Sequence, residues 1–300
     1  MKRWLKISLA TVGALAAVAA TTLGWALHQA DARMARHVRI ASHPVTPGQD
    51  AASLSRGRYL FESRGCTDCH GTHGGGKLFI DDGAMKVAGP NITRGPGSVV
   101  VGYRPEDWER AIRHGVKPDG KPLMIMPSED YNRLTDQDLA ALVGYLRQLP
   151  PVAGQGAVLQ LPPPVRALYG LGLIQDAAAR IDHSLPPQEP VPEGVTVAHG
   201  RYVANMCMGC HGPLLAGGKI PGAPPDWPAA ANLTSGDGSG MSPYTSATAF
   251  GTMMRTGRRP DGTQVSSVMP FGALKHLSDT DVGALYAYLR TLPPQAKGPR

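Results

Sequence analysis

The sequence predicts an all-α chain in which two tandem small domains of one design follow an N-terminal transmembrane helix. Three observations carry this: an internal duplication, a Cys-x-x-Cys-His motif in each copy, and a long uncharged run behind a basic start. A length of 300 residues suits two domains of ordinary size. Phe, Trp and Tyr supply only 6% of the chain against 37 Gly and 28 Pro, so cores built from side chains alone would be thinly filled. A large buried cofactor in each domain would supply the missing apolar bulk.

The N-terminus comes first. Met1-Lys2-Arg3-Trp4-Leu5-Lys6 precedes an uncharged, mostly apolar run of 21 residues, Ile7 to Leu27. That exceeds the roughly 7–15-residue core of a cleaved signal and is about long enough to span a bilayer as a helix. Residues 1–27 therefore read as a membrane anchor. The competing reading is a signal peptide cut after Ala32, because Ala30-Asp31-Ala32 fits a small-x-small site. Residues 28–52 read as a stalk, flexible from Ala41 onward.

The formal charge of +7 is concentrated at this end. Lys2, Arg3, Lys6, Arg33, Arg36 and Arg39 face Asp31 alone within the first forty residues, leaving a net of only +2 for the rest. No broad basic field remains to neutralise phosphates, so nucleic acid is excluded as a partner.

The duplication defines the domains. Gly57-Arg58-Tyr59-Leu60 recurs as Gly200-Arg201-Tyr202-Val203, and His70-Gly71 as His211-Gly212. Asn91-Ile92-Thr93 recurs as Asn232-Leu233-Thr234, each 21 residues past its motif His. Arg113, Gly115 and Pro118-Asp119-Gly120 return as Arg255, Gly257 and Pro260-Asp261-Gly262, and Tyr145-Leu146-Arg147 as Tyr288-Leu289-Arg290. We place the domains at 53–152 and 196–296, with a short tail at 297–300.

Each domain reads as a short helix leading into the motif, Gly- and Pro-rich loops, and a terminal helix. The terminal helices begin at Thr135-Asp136-Gln137-Asp138 and Ser278-Asp279-Thr280-Asp281, a hydroxyl N-cap with acids in the first turn. They stop at Pro150-Pro151 and Pro293-Pro294. Leu139, Leu142, Val143 and Leu146, like Val282, Leu285, Tyr286 and Leu289, form helix-period stripes expected in the core. Residues 153–195, with Leu161-Pro162-Pro163-Pro164 and Leu185-Pro186-Pro187, predict a semi-rigid surface linker in which His183 is solvated.

All four cysteines sit in the two motifs, Cys66-Thr67-Asp68-Cys69-His70 and Cys207-Met208-Gly209-Cys210-His211. This is the attachment signature of c-type haem. The pairs lie 141 residues apart, far beyond zinc-ribbon spacing, and a dithiol redox site would not explain a trailing His twice. Two haem c groups, each with one iron, are thus expected on Cys66, Cys69 and His70 and on Cys207, Cys210 and His211, the two histidines being proximal iron ligands.

The sixth ligand separates carriers from enzymes, because a filled position transports electrons and an open one admits small molecules. Met85, Met124 and Met126 compete in the first domain. Met126-Pro127 lies eight residues before Leu134 and Met269-Pro270 eight before Leu277, so these pairs are equivalent. Met124 faces Ser267 in that register, and Met241, Met253 and Met254 have no Met counterparts. Met126 and Met269 are therefore the expected ligands. His73 and His114 align with Leu214 and Thr256, so solvated or locally hydrogen-bonded roles are expected for them. A ligating His normally donates its second ring nitrogen to a carbonyl, and Gly89-Pro90-Asn91 is the expected source. The second domain has Ala230-Ala231-Asn232 there instead.

Taken together, Cys-x-x-Cys-His-Gly, Asn-Ile-Thr or Asn-Leu-Thr, Pro-Asp-Gly, Met-Pro and a closing Tyr-Leu-Arg-x-Leu-Pro-Pro resemble the small, single-haem, all-α cytochrome c fold. More narrowly, the pair resembles the cytochrome c subunits of periplasmic membrane-bound alcohol, aldehyde and gluconate dehydrogenases. Those subunits typically carry three haems and associate with the membrane at the C-terminus, whereas this chain has two motifs and an N-terminal anchor. The resemblance implies an electron carrier rather than an enzyme. It would sit in the bacterial inner membrane with its haem domains facing the periplasm, pass electrons from a dehydrogenase or quinol-oxidising complex to another cytochrome or terminal oxidase, and partner dehydrogenase subunits and other redox proteins. Three readings compete. A dihaem peroxidase predicts unlike haems, whereas both copies keep Met-Pro. A thiosulfate-oxidising cytochrome needs a fifth cysteine. A fixed dihaem subunit of a haem-copper oxidase differs only in partner.

Overall fold

The structure, a computed structural model, describes residues 2–224, 226–236 and 238–298. Met1 of the expected anchor and positions 299–300 of the expected tail lie outside the described residues.

Helix α1 (Lys2–Ala35) contains the whole apolar run and continues past it. Its most apolar 18-residue stretch has mean hydropathy 1.7, so it is long and apolar enough to cross a membrane. The helix does not stop at Leu27 because residues 28–35 are mostly good helix formers and because Ala26 and Ala30 are buried.

The first repeat opens with α2 (Ala51–Ser63), N-capped by Asp50, and α3 (Cys66–His70). A hairpin of β1 (Lys77–Asp81) and β2 (Lys86–Gly89) follows, then α4 (Pro105–His114) and α5 (Asp136–Gln148). Thr135 accepts from the Asp138 amide, the N-cap expected of it. The second repeat has α8 (Val197–Ala204), α9 (Met208–His211), α10 (Ala247–Thr256), α11 (Phe271–Leu274) and α12 (Asp279–Leu289), the last N-capped by Ser278. Between the repeats lie β3 (Val158–Gln160), α6 (Pro163–Gly170) and α7 (Ala177–Arg180).

In each repeat the first and last helices cross at a glycine. A Cβ on Gly57 would lie 2.1 Å from the Ala141 carbonyl oxygen, and one on Gly200 would lie 1.9 Å from that of Ala284. Only a residue without a side chain lets the two backbones meet, which explains why this position returns in both copies. Leu60, Phe61, Trp108, Leu139, Leu142 and Leu146 form one core, and Val203, Phe250, Met253, Met254, Leu285 and Leu289 the other.

The chain is mostly helical, and it adds a small antiparallel sheet of order β1-β2-β3 that the all-α reading omitted. Strands of three to five residues are too short to show a period of two. Moreover, β3 joins β2 from the far side of the first domain, a non-local pairing that no local pattern announces. The linker, expected as a semi-rigid surface connector, carries β3, α6 and α7 and packs on the first domain and on α1. His183 is not a solvated residue, since its Nδ1 lies 2.9 Å from His114 Nδ1 and its Nε2 3.0 Å from the Ala178 carbonyl. The stalk is docked too. Arg36 makes a two-pronged pair with Asp176, Ser42 donates to Glu109, and the Gly48 amide donates to the Ala140 carbonyl.

Candidate haem-binding sites

In the first domain Cys66, Cys69 and His70 sit on one wall of a cavity of about 350 Å³. Leu60, Trp108, Ile112, Leu142 and Leu146 supply much of its apolar lining, and the sheet covers one side through Val87, Ala88, Val158 and Leu159. Both Met124 and Met126 line it, whereas Met85 lies in the β1–β2 turn. Met126 is also packed against the core formed by α2, α4 and α5.

The His70 ring is held from behind. Its Nδ1 lies 2.9 Å from the Pro90 carbonyl, which, as donor to that oxygen, leaves Nε2 as the free coordinating nitrogen. His211 Nδ1 makes the same contact with the Ala231 carbonyl at 2.8 Å. The missing proline is immaterial because a backbone carbonyl serves whatever the side chain. Burial pushes both imidazoles below their ordinary pKa, the carbonyl contact opposing it, so both rings are neutral donors at pH 7.

Burial also pushes the Cys66 and Cys207 thiols up to about 12 and Cys69 to about 11, and raises Cys210. Among the described residues no group of three His, Cys, Asp or Glu side chains is placed to hold a metal ion alone. A macrocycle that brings its own four nitrogens, needs two thiols and one His beside them, and fills an apolar cleft fits this donor set.

The remaining repeated residues prove to be the scaffold around these walls. Asn91 Oδ1 accepts from the Thr93 amide and hydroxyl while its Nδ2 donates to the Pro96 and Val152 carbonyls. Asn232 and Thr234 repeat this, reaching the Gln295 carbonyl. Each Pro-Asp-Gly closes a tight turn, with Asp119 accepting from the Lys121 amide and Asp261 from that of Thr263. The segment leaving each turn bonds back to the end of α4 or α10 (Leu123 to Gly115, Val265 to Gly257), and after one more residue in the second copy each Met-Pro makes the same local turn, the Met126 carbonyl accepting from the Ser128 amide at 2.9 Å and that of Met269 from the Phe271 amide at 2.8 Å. Met269 packs against the second core, in which Met241, Met253 and Met254 are buried as ordinary core residues. His114 is buried and bonded to Glu109, as its local role required, and His73 makes no part of the cavity wall.

Sequence reasoning missed three features. The first site has a sheet lid, whereas no strand is present in the second domain among the described residues. Tyr131, whose hydroxyl donates to the Arg64 carbonyl at 2.7 Å, lines the first cavity. The two motifs also lie at a shared boundary, where Asp130 of the first domain accepts from the Gly209 amide of the second motif at 2.8 Å. No local signal in the sequence marks that contact.

Comparison with known proteins agrees with this geometry. Residues 52–146 match the family described as cytochrome c oxidase, cbb3-type, subunit III, and residues 197–293 match the family described as cytochrome c. The fructose dehydrogenase cytochrome subunit of Gluconobacter japonicus is 30% identical, the match covering 86% of this chain and 57% of that protein. The cytochrome c subunit of a quinone-type alcohol dehydrogenase of Gluconobacter oxydans is 28% identical over 92% of this chain and 61% of that protein. A diheme c-type cytochrome of Cereibacter sphaeroides is 28% identical over 80% of this chain and 86% of its own length. The chain spans about 60% of the length of the two dehydrogenase subunits. With two motif walls of one geometry and a family match on each, the chain carries two tandem cytochrome c-type domains and is similar to the cytochrome c subunits of sugar and alcohol dehydrogenases.

Proposed function

We propose that this protein is a two-haem electron carrier, anchored by α1 in a bacterial inner membrane with both domains in the periplasm, which takes electrons from a dehydrogenase partner and passes them to another cytochrome or a terminal oxidase. The observation that carries the reading is the likeness of the two sites: a motif His backed by a carbonyl and a Met-Pro that makes the same local turn downstream. Bound haem c supplies a one-electron iron centre, whose potential Met ligation raises. Cys66 with Cys69, and Cys207 with Cys210, would tether it. His70 and His211 would supply a neutral nitrogen ligand and Met126 and Met269 a thioether sulfur, and the apolar walls of the first cavity would keep water away. Domain limits at 53–152 and 196–296 belong to the same reading.

Retention of the N-terminal segment has its own support. A cut after Ala32 would remove Ala26 and Ala30, the surface on which α6 is packed. Magnetic circular dichroism of the purified holoprotein tests the ligands: the charge-transfer signature of sulfur-ligated ferric haem is expected for both centres. A high-spin or bis-His signature in either overturns the assignment for that site.

The match of the first domain to an oxidase subunit family supports a second reading, a fixed subunit of a haem-copper oxidase. Solubilisation in mild detergent separates the two: a dehydrogenase subunit is the expected co-eluting partner, and copper-containing oxidase subunits would favour the second.

A further inference from the structure

The end of α6 carries an apolar projection that the electron-transfer reading leaves unused. Helix α6 closes in a C-terminal motif of two crossed hydrogen bonds, the Leu173 amide to the Leu168 carbonyl at 2.9 Å and the Gly172 amide to that of Tyr169 at 3.0 Å, with Gly172 at φ +77°. Such an ending normally tucks the residue after the glycine against the last turn. Here Leu173 is 70% exposed, and Leu168 and Leu171 are exposed beside it in the chain.

Its position relative to α1 gives the projection a meaning. Gly170 packs directly on α1, where a Cβ would lie 1.9 Å from the Ala26 carbonyl oxygen and 3.0 Å from the Ala30 amide. Gly172 approaches the Arg33 guanidinium, at 3.2 Å from where its Cβ would be. The end of α6 that carries the leucines therefore packs beside residues 26–33, at and just beyond the end of the apolar run. Exposed Trp4 lies just before that run and exposed Trp25 near its end. Their separation of 21 residues is about 31 Å of helix, close to the roughly 30 Å hydrocarbon core, and aromatic residues favour both of its boundaries. The next turn of α1, about 6 Å long, then crosses the headgroup layer.

The junction is built rigidly. Arg36 holds Asp176 at 2.6 and 2.7 Å, Tyr169 donates to the same carboxylate at 2.6 Å, and Arg166 reaches Asp31 at 2.5 Å. Arg33, whose guanidinium lies beside Gly172, makes no ion pair among the described residues.

From this placement we infer that Leu168, Leu171 and Leu173 form a second membrane contact, inserted into the headgroup–acyl boundary of the bilayer beside the point where α1 leaves it, with Arg33 facing lipid phosphate. The inference rests on the reading of α1 as a membrane helix. Two attachments joined by a rigid clamp fix the tilt of the first domain on the membrane, where a single helix would leave it free to swing. The first haem site then keeps a constant height above the lipid, which suits exchange with membrane-bound partners.

Site-directed spin labelling of the full-length holoprotein, reduced and held in nanodiscs of phosphatidylcholine and phosphatidylglycerol, tests this. Labels on Leu173→Cys, Val18→Cys and Ser267→Cys are compared for access to dissolved oxygen and to a water-soluble nickel chelate. The expected result is a label at 173 that favours oxygen over nickel, between the deep label at 18 and the aqueous label at 267. A label at 173 as open to nickel as that at 267, with the label at 18 buried in hydrocarbon, overturns the second contact and leaves the anchor standing. An aqueous label at 18 overturns both. A label at 173 shielded from both reagents means that a protein subunit covers the leucines, and overturns the lipid assignment.

Discussion

The Tyr59 hydroxyl donates to the Asp281 carboxylate at 2.6 Å, and the equivalent Tyr202 donates to the equivalent Asp138 at 2.6 Å. Each tyrosine leaves the first helix of its own domain and caps an acid in the first turn of the other domain's last helix. Each hydroxyl also accepts from an N-cap amide there, Ser278 for Tyr59 and Thr135 for Tyr202. The two copies are thus locked by a reciprocal, approximately twofold exchange, as identical subunits are in an isologous dimer.

Removal of either hydroxyl should loosen this lock. Tyr59→Phe and Tyr202→Phe each delete a buried hydrogen bond to a charged group, which costs about 1.5–3 kcal/mol. Urea unfolding followed by haem absorbance should show the midpoint falling in both variants. An unchanged midpoint would show that the contact contributes nothing.

Asp281 also receives Arg64, at 2.9 Å with side-chain exposures of 0% and 6%, and His199 at 2.8 Å. Burial disfavours its charge, but Arg64 together with the Tyr59 and His199 hydrogen bonds outweighs burial and holds the carboxyl at about 2. The folded value lies below the unfolded one near 3.9, so the stabilisation is complete above about pH 5 and is lost as pH falls toward 2; it amounts to about 2.5 kcal/mol. Asp281→Asn should flatten the acid limb of the stability curve relative to wild type. It should also cost about 3–5 kcal/mol at neutral pH, because Arg64 is left buried without a counter-charge. Equal acid slopes in the two proteins would refute the assignment.

Gly57 and Gly200 should not tolerate a methyl group. Ala at either place drives its Cβ into a backbone carbonyl that cannot turn aside, so the first and last helices of that domain must separate. The expected cost is about 1–3 kcal/mol or more, as for other overpacked contacts. It should be accompanied by lower haem incorporation in the affected domain, read from the pyridine haemochrome per mole of protein.

Met126 and Met124 both line the first cavity, and substitution distinguishes them. Met126→Ala should open one of the two irons, giving carbon monoxide binding by about half of the reduced haem and a lower potential for that centre. Met124→Leu should leave both properties unchanged. The reverse pattern would transfer the ligand role to Met124.

Much of the site was legible in the chain itself because its chemistry is local. A Cys-x-x-Cys-His places two thiols and one imidazole on a single turn, and the duplication separated recurring residues from incidental ones, so the sequence was enough to propose His70, His211, Met126 and Met269 as ligands. The helix caps at Thr135 and Ser278 are local for the same reason: the side chain bonds an amide three residues on. What the chain hid is non-local. The β2–β3 pairing, the folding of the linker onto α1 and the His114–His183 contact join residues about 70 or more positions apart, and no period or motif encodes such a meeting. The tyrosine exchange is the clearest instance. The sequence alone determined that Tyr59 and Tyr202 occupy one position in two copies, since a repeat is visible in the letters. Only the tertiary structure decided that each serves the other's domain, because that depends on how two finished surfaces come to bury one another's polar groups.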